Sequence, residues 1–471
     1  MIGTATALAG KRVTVMGLGL FSGGVETVKF LVSHGAKVTV TDTRDENALV
    51  SSLSQLSGLS VTFKLGRHEE KDFTNTDLLI VNPAVPLGSP FERVCASAGV
   101  PVTTEINLFF QLCRAPIIAV TGTNGKTTTA YIIGEILRRG GLPRRGSLHF
   151  GGNMGKSLIA QVEEILPQDL VVLEISSSQL ARLRWVKKSP RIAVATNITP
   201  NHLDWHKTME EYELAKRAIV DYQSESDYAV LNKSDLGLAS WARNCRSRIL
   251  WFSSRDVVQE GACLEGEDLV LRRNGRSSVV CARRDVRLPG LFNVENYLAA
   301  FCAASILGAS PENCAEVART FAGVEHRLEF VRTVRGVRCY NDSIATNPES
   351  TIAALSAIDS PIVLVAGGSD KNLSYDAVGK EIAKRTKAVV LVGATASKIE
   401  ESVRAGGMSE GIHNERNFED AVRRAFSLAT EGDTVLLSPA SASFDMFANF
   451  EHRGKTFKEI VAQLAKESDQ R

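Results

Sequence analysis

The residues with the clearest chemistry lie at positions 116–129, where the sequence is PIIAVTGTNGKTTT. Residues 117–120 are apolar and predict a buried strand, and Gly122 and Gly125 predict a tight loop before a helix that begins at Lys126. Glycines let backbone N–H groups approach phosphates, a helix N-terminus favours negative charge, lysine reaches the outer phosphates, and the hydroxyl of Thr127 can bind magnesium. The segment therefore predicts a phosphate-binding loop.

This loop departs from the usual pattern at one position. A P-loop has four residues between its first glycine and the Gly-Lys pair, and Val120 stands where that first glycine would be. A glycine turn followed by a helix that merely begins with Lys-Thr is the alternative. The preceding apolar strand and the run Asn-Gly-Lys-Thr favour the nucleotide site.

Length and composition limit the class of protein. A chain of 471 residues predicts two to four domains, and 44% hydrophobic with 23% charged residues is typical of a globular protein. Because 55 basic residues face 53 acidic ones, the net charge of +2 predicts no nucleic-acid or membrane partner. The eight cysteines include no Cys-x-x-Cys pair, the first residues do not have the pattern of a signal peptide and no apolar run is long enough to span a bilayer, so we expect a cytoplasmic protein. We further expect a monomer, although no sequence pattern reports the oligomeric state.

The first part of the chain predicts a doubly wound parallel sheet. Short apolar strands at residues 12–16, 37–41 and 78–81 alternate with helical segments. Gly17 and Gly19 follow the first strand as in a dinucleotide fingerprint, and Asp42 ends the second, where a ribose-binding acid would lie. A tight turn without a ligand remains an alternative, because the third glycine comes one residue late. We place the first domain boundary near residue 113.

The second part continues the same alternation after the phosphate loop. A strand at residues 169–173 leads to Glu174, and another at 191–195 leads to a loop that contains His202. Ligands bind outside the carboxyl ends of parallel strands, so both side chains are expected near Lys126 as neighbours of a magnesium site. Residues 209–222 predict a helix in which Lys216 looks like a solvated residue. Short strands between residues 248 and 287 suggest an antiparallel addition, and Asn293 is a possible helix N-cap.

A third α/β unit is predicted after a linker at residues 323–327. Three of its strand ends carry polar clusters: residues 341–343, 367–371 and 438–443. Together they suggest a binding edge. The predicted fold is thus α/β with three consecutive domains. Residues 1–113 are Rossmann-like, residues 114–324 form a central P-loop domain with a mostly parallel sheet and a small antiparallel addition, and residues 325–471 are again Rossmann-like.

These motifs occur in an order that resembles the Mur ligase family over nearly the whole chain. The matching segments are GLGL from Gly17, VTGTNGKT from Val120, EISSSQL from Glu174, NITPNHLD from Asn197, YELAK from Tyr212, GLFNVEN from Gly290, His326-Arg327, NDSIATN from Asn341, and SPASASFDMFANFEHRG from Ser438. The phosphate loop is shared by the whole superfamily, which includes folylpolyglutamate synthetases. The segments from Asn341 and Ser438 are the more specific part.

The resemblance implies an ATP-dependent amide ligase that adds D-glutamate to UDP-N-acetylmuramoyl-L-alanine through an acyl phosphate, with ATP and two magnesium ions. Another Mur ligase or a folylpolyglutamate-type ligase is the alternative. A nicotinamide dehydrogenase or a binding protein without ligase chemistry are hypotheses from other classes. The initial glycine turn argues against a folate ligase, which lacks that domain.

Site residues follow from the resemblance position by position. Lys126, Glu174, His202 and Lys216 are the implied catalytic residues, and Lys216 resembles a carbamylated lysine, which reverses its assignment as a solvated residue. The implied ATP contacts are Gly122, Thr123, Asn124, Gly125, Lys126, Thr127, Thr128, Asn293, Asn296, Arg327 and Asp342. The implied metal ligands are Thr127, Glu174, His202 and Lys216 if carbamylated.

The substrate residues are implied in the same way. The UDP substrate is matched to Leu20, Asp42, Thr43, Arg44, Asn153 and His202, and D-glutamate to Thr346, Lys371, Ser443 and Phe450. Ile344 is a departure, because many members of the family have a lysine at that position.

Overall fold

The computed structural model describes residues 5–19, 22–152, 157–201, 203–288, 290–370 and 373–469. The chain divides into two compact units, Met1–Phe321 and Ala322–Arg471. The first unit holds two sheets and the second holds one. Strands alternate with helices through all three sheets, and the predicted α/β fold class is confirmed. The domain limits at 113/114 and 324/325 stay a prediction.

The first sheet has five parallel strands in the order β3-β2-β1-β4-β5. Its strands are β1 (Arg12–Met16), β2 (Lys37–Asp42), β3 (Val61–Leu65), β4 (Leu78–Val81) and β5 (Val102–Thr103). The helices of this region are α1 (Ser22–Ser33), α2 (Glu46–Ser54), α3 (Lys71–Thr74), α4 (Pro90–Ser97) and α5 (Glu105–Leu112). The strand order reverses beside β1, so the glycine turn after β1 lies at a topological switch point, where open α/β sheets bind ligands.

The second sheet has nine strands in the order β14-β13-β12-β11-β10-β9-β6-β8-β7. Its strands are β6 (Ile117–Thr121), β7 (Leu148–Gly152), β8 (Leu170–Glu174), β9 (Ile192–Ala195), β10 (Tyr228–Asn232), β11 (Arg248–Ser253), β12 (Gly261–Glu265), β13 (Asp268–Arg273) and β14 (Arg276–Ala282). Pairing is antiparallel between β12, β13 and β14 and parallel elsewhere. The predicted antiparallel addition is present, but β11 at the start of the segment 248–287 is parallel to both β10 and β12.

Helices and two apolar clusters cover this second sheet. The helices are α6 (Lys126–Arg139), α7 (Ser177–Leu183), α8 (Leu203–His206), α9 (Met209–Arg217), α10 (Leu236–Trp241), α11 (Leu291–Ile306) and α12 (Pro311–Thr320). Successive side chains of a strand point to opposite faces, and in β6 Ala119 joins one cluster while Ile118 and Val120 join the other. The cluster that contains Ala119 also contains Val13 and Val15 of β1, so one apolar core connects the first two sheets.

Helix α9 is shorter than predicted, since it ends at Arg217 and not near residue 222. The amides of Ile219 and Val220 donate to carbonyls only three residues back, at 3.1 and 2.9 Å. Both side chains are buried, so the chain tightens to place them in the core and leaves the helical path. Apolar periodicity alone could not distinguish this turn from a further turn of α-helix.

The third sheet has six strands in the order β15-β16-β20-β17-β18-β19. They are β15 (Glu329–Val334), β16 (Val337–Asn341), β17 (Ile362–Ala366), β18 (Thr386–Val392), β19 (Ile412–Glu415) and β20 (Thr434–Leu437), with helices α13 (Pro348–Ser356), α14 (Asp376–Arg385), α15 (Ala396–Ala405), α16 (Phe418–Leu428) and α17 (Phe450–Asp469). Adjacent β16, β20 and β17 are parallel, so the three polar clusters that follow them begin at one edge of the sheet, as predicted.

Within the described ranges, no helix combines the length and the apolar composition that a membrane span requires.

Candidate active site

The predicted phosphate loop lies between β6 and α6, and its two glycines have conformations that other residues rarely adopt. Gly122 has φ of 148° and Gly125 has φ of 80°. A Cβ on Gly122 would collide with the hydroxyl of Thr196, and one on Gly125 would collide with the side-chain oxygen of Asn296. Glycine is therefore required by backbone conformation and by space. The loop ends at Lys126, the first residue of α6, where free helix N–H groups attract an anion.

Hydrogen bonds from the segment after β9 fix the backbone of this loop. The amide of Thr123 donates to the carbonyl of Asn197 at 2.8 Å, and the amide of Asn124 donates to the Asn197 side chain at 2.9 Å. The hydroxyl of Thr196 donates to the carbonyl of Asn124 at 2.6 Å. The loop is thus held in shape before any ligand binds, which lowers the entropic cost of binding.

Thr127 and Glu174 meet beside the loop, as predicted. The Thr127 hydroxyl donates to Oε2 of Glu174 at 2.6 Å, and both residues are buried. They meet because β6 and β8 are neighbouring parallel strands, with Val120 opposite Glu174 in register. A hydroxyl and a carboxylate are hard oxygen ligands of the kind that magnesium prefers. In the described part of the chain, no three His, Cys, Asp or Glu side chains form a metal cluster. A P-loop magnesium site does not need one, since phosphate oxygens complete its coordination.

Two lysines donate hydrogen bonds to backbone carbonyls of the loop. Nζ of Lys126 donates to the carbonyl of Thr123 at 2.9 Å. Lys216 is only 2% exposed, and its Nζ donates to the carbonyl of Gly122 at 2.8 Å. Burial lowers the pKa of Lys216 well below its usual value, and the charge of Lys126 adds a smaller effect in the same direction. Glu174 opposes this shift. A lowered pKa favours the neutral form of the amine, and this is the form that carbamylation requires.

Two aromatic residues near the phosphate loop, Tyr212 and His206, are not among the site residues predicted from the sequence. The hydroxyl of Tyr212 lies 3.0 Å from Oγ1 of Thr123, and Nζ of Lys216 lies 4.7 Å from the Tyr212 ring centroid. His206 packs edge-on against Tyr212, and its Nε2 is 2.8 Å from the hydroxyl of Ser177. Tyr212 and Lys216 are four residues apart on α9 and so share one face. That spacing was the signal that could have identified Tyr212.

Asn293 and Asn296 lie on α11 against the start of α6. Thr129 donates its hydroxyl hydrogen to Oδ1 of Asn296 at 3.2 Å, and Nδ2 of Asn296 donates to Oδ1 of Asn293 at 3.2 Å. The prediction that Asn293 is a helix N-cap is wrong. Gly290, with φ of 96°, precedes the helix, and Asn293 lies within the first turn. Thr128 lies on the first turn of α6 and is partly exposed.

The first sheet places the predicted UDP-site residues around its glycine turn. The Asp42 carboxylate accepts hydrogen bonds from the amides of Leu18 at 2.9 Å, Gly19 at 3.3 Å and Arg44 at 2.9 Å. Asp42 is buried, so it holds the turn together, whereas Thr43 and Arg44 are exposed. Three further predicted residues lie outside the described part of the chain: Leu20, Asn153 and His202.

The third sheet collects its predicted residues at the edge formed by β16, β20 and β17. Asp342 is buried, accepts from the hydroxyl of Ser438 at 2.8 Å and from the amide of Leu328 at 3.1 Å. Burial raises the pKa of Asp342 to about 7, against the effects of these hydrogen bonds and of Arg327. Arg327 itself is exposed.

The residues assigned to D-glutamate differ in how deeply they are buried at that edge of the sheet. Thr346 is half-buried, Ser443 is buried, and Phe450 begins α17. Lys371 lies outside the described residues. Arg453 was missed: its guanidinium is buried and donates to the backbone carbonyls of Ser343 and Ser441 at 3.0 and 3.1 Å. It thereby joins two of the three polar clusters.

Comparison with known families and proteins agrees with this geometry. Residues 11–104 match the Mur ligase MurD-like N-terminal domain, residues 120–304 the Mur ligase middle domain, and residues 326–441 the Mur ligase glutamate ligase domain. A protein of Symbiobacterium thermophilum named UDP-N-acetylmuramoylalanine--D-glutamate ligase is 44% identical over 97% of this chain and 98% of its own length. The chain belongs to the Mur ligase family.

A second relative and two solved structures are also similar to this chain. A relative of the same name from Acetivibrio thermocellus is 42% identical over 96% of this chain and 97% of its own. Among solved structures, the UDP-N-acetylmuramate-alanine ligase MurC of Thermotoga maritima shares the fold with a TM-score of 0.52 and 17% identity, over 96% of this chain and 99% of its own. MurF from the same organism, solved with ADP, gives a TM-score of 0.51 at 17% identity, over 99% of this chain and 97% of its own.

Gly125→Ala should weaken ATP binding about tenfold or more, because the new methyl group meets Asn296 and the positive φ adds strain of about 1–3 kcal/mol. Gly141→Ala is the matched control, since Gly141 has φ of 62° and open space around it. Titration calorimetry with ATP on both variants measures the effect. Equal affinities in the two variants would contradict the role of Gly125.

Asp342→Asn should remove a pH dependence of stability. Between about pH 4 and pH 7 the folded carboxyl keeps a proton that the unfolded chain has released. The stabilisation of the folded state that results is complete below about pH 4 and is lost as the pH rises towards 7. The slope is about 1.4 kcal/mol per pH unit. Unfolding of wild type and variant across this range tests it, with the exposed Asp376→Asn as control. Parallel pH profiles for wild type and Asp342→Asn would contradict the raised pKa.

Proposed function

We propose that the protein is an ATP-dependent ligase that adds D-glutamate to UDP-N-acetylmuramoyl-L-alanine in peptidoglycan precursor synthesis. The observation that carries the proposal is the buried Lys216 amine at 2.8 Å from the carbonyl of Gly122, next to the Thr127–Glu174 pair. A site that only holds a nucleotide has no need of a second, buried lysine beside its phosphate loop. Relatives named for this reaction, at 42–44% identity over nearly the whole chain, support the choice of substrates.

The reaction needs an activated acyl group. A free carboxylate is a poor acyl donor because it would have to expel oxide. Transfer of the γ-phosphoryl group of ATP to the carboxylate of the alanyl end gives an acyl phosphate and ADP. The amine of D-glutamate then attacks the carbonyl carbon, and the tetrahedral intermediate expels phosphate to form the amide. The protein must position the reactants, stabilise charge and exclude water.

In the proposed reaction, the residues of the phosphate loop position ATP. The amides of Thr123 and Asn124 already donate to Asn197, so the free backbone N–H groups at the start of α6 and the ammonium group of Lys126 would bind the β- and γ-phosphates. Asn293 and Asn296 are assigned to the adenine side. Magnesium, when bound, neutralises charge on the phosphate oxygens. Thr127 and Glu174 would hold one ion, and Lys216, as a carbamate, would join His202 at a second. The lowered pKa of Lys216 supports its reaction with carbon dioxide, since only the neutral amine can attack.

The remaining assignments place the two other substrates. The glycine turn with Asp42, Thr43 and Arg44 is proposed to bind the UDP group, with Leu20, Asn153 and His202. Arg327 and Asp342 are assigned to ATP. The D-glutamate residues would be Thr346, Lys371, Ser443 and Phe450. All eight cysteines lie in the described part of the chain and none is in a disulfide, which supports the proposed cytoplasmic location.

An assay with a panel of amino acids tests the substrate assignment. We expect ADP release and an amide product of the expected mass only when ATP, magnesium, UDP-N-acetylmuramoyl-L-alanine and D-glutamate are all present. L-Glutamate, L-alanine and a diamino acid serve as controls. Efficient turnover with one of these in place of D-glutamate would assign the chain to another ligase of the family. Nucleotide binding without turnover would contradict ligase activity.

Lys216→Ala should lower kcat by about 10²-fold or more, since a charge-stabilising group that acts in the transition state is lost. Excess bicarbonate should not restore activity, because the variant has no amine to carbamylate. Lys233→Ala, at an exposed lysine of the same sheet region, is the control. Steady-state kinetics of ADP release provide the measurement. A rate like that of wild type in Lys216→Ala would rule out the carbamate.

A further inference from the structure

A completely buried arginine links the first sheet to the phosphate-loop sheet. The side chain of Arg182, on α7, has no exposed surface, and its Nε donates to Oε1 of Glu92 on α4 at 3.1 Å. Nη2 donates to the same oxygen and to the carbonyls of Val85 and Pro86, at 2.9 and 3.2 Å. One guanidinium thus binds both the helix and the preceding loop of the first sheet.

The loop that Arg182 holds packs against the predicted UDP site. Oε2 of Glu92 accepts from the amide of Gly88 at 3.0 Å, which fixes the loop from its other side. The amide of Val85 donates to the carbonyl of Asn82 at 3.0 Å. A Cβ on Gly17 would lie 3.0 Å from the Cβ of Asn82 and 3.8 Å from Val85, so this loop forms one wall of the glycine turn.

The segment that precedes α7 is fixed to the end of β6, the strand that leads into the phosphate loop. Ile175, which joins Glu174 to the helix, donates its amide hydrogen to the carbonyl of Val120 at 2.9 Å and accepts from the hydroxyl of Thr121 at 2.9 Å. The Ser176 side chain caps α7. The glycine turn and the Thr127–Glu174 pair are therefore connected through the short helix α7, and hydrogen bonds hold this helix at both ends.

The ion pair's contribution to the free energy of unfolding does not by itself explain why a buried arginine occurs at this position. Desolvation of a buried ion pair often cancels its attraction, and apolar replacements are frequently neutral or stabilising. In the described part of the chain, Nη1 of Arg182 has no hydrogen-bond partner, which adds a cost of about 1–3 kcal/mol. What a planar, rigid guanidinium provides, by donating both to the Glu92 carboxylate and to two backbone carbonyls, is a fixed geometry between two elements.

We propose that Arg182 is a positioning residue that sets the distance between the UDP site and the phosphate loop. The inference rests on the proposed function, in which one substrate binds at both places through its UDP and alanyl ends. The alanyl carboxylate must meet the γ-phosphate of ATP in line, and a displacement of about 1 Å can cost about 10²-fold in rate. The ion pair holds the two sites at the separation that this substrate requires.

The proposal is tested by comparing the affinity for the whole substrate with the affinity for its UDP fragment. Arg182→Met should weaken UDP-N-acetylmuramoyl-L-alanine about tenfold and lower kcat about tenfold or more, as misplacement of the reacting carboxylate predicts. The affinity for ATP, measured alone by calorimetry, should change less than about twofold, and the affinity for UDP alone should fall clearly less than that for the whole substrate, because each of these ligands binds one site only. Arg184→Met is the matched control, since Arg184 directly follows α7 and is exposed. Its affinities and kcat should equal those of wild type.

A second variant separates positioning from stability. In Arg182→Met with Glu92→Leu both charges are removed, so the thermal midpoint should equal or exceed that of wild type while kcat stays low. The double variant also provides the binding comparison if Arg182→Met does not fold. Recovery of kcat together with stability, or equal losses of affinity for UDP and for the whole substrate, would overturn the proposal. Wild-type protein without D-glutamate-dependent turnover would refute the proposed function, whereas the binding comparison tests Arg182 separately.

Discussion

The hydrogen bonds between Asn197 and the phosphate loop are the constraint on which the site depends. They fix the amides of Thr123 and Asn124 at the carboxyl end of β9, beside the strand that carries the loop. Gly122 and Gly125 allow the backbone the positive φ values that this path requires. Because the loop is rigid, the positions of Thr127 and Lys126 at the start of α6 are fixed as well. The contacts with Glu174 and Lys216 then follow from the order of the strands.

Much of this arrangement could be predicted from the sequence because it follows from strand ends. A parallel sheet brings the residues after its strands to one edge, so Glu174 was expected near Lys126, and the family resemblance paired it with Thr127. The three polar clusters of the third sheet were expected at one edge for the same reason. A small antiparallel addition between residues 248 and 287 was also expected, from alternating short segments, although its first strand, β11, is parallel to its neighbours. In each case the local pattern and the packing rule specify the same structure.

Other features depend on contacts that no local pattern contains. Lys216 has the sequence context of a solvated helix residue, and only the fold buries it under the loop. The pKa of Asp342 rises to about 7 because burial outweighs its hydrogen bonds, and burial is a property of the folded chain. Arg182 pairs with a residue 90 positions earlier, so its partner could not be inferred from spacing. Helix α9 was predicted too long because apolar residues continue through a turn that is not α-helical.

The apolar core that joins the first two sheets has a consequence for evolution. Val13 of β1 and Leu173 of β8 belong to one cluster, so a substitution in either sheet alters packing that both share. Amino-acid changes in the first sheet are therefore not independent of those tolerated near the phosphate loop. The second unit has its own apolar clusters around the third sheet. Its interior can diverge under separate selection, while the first two sheets must change together.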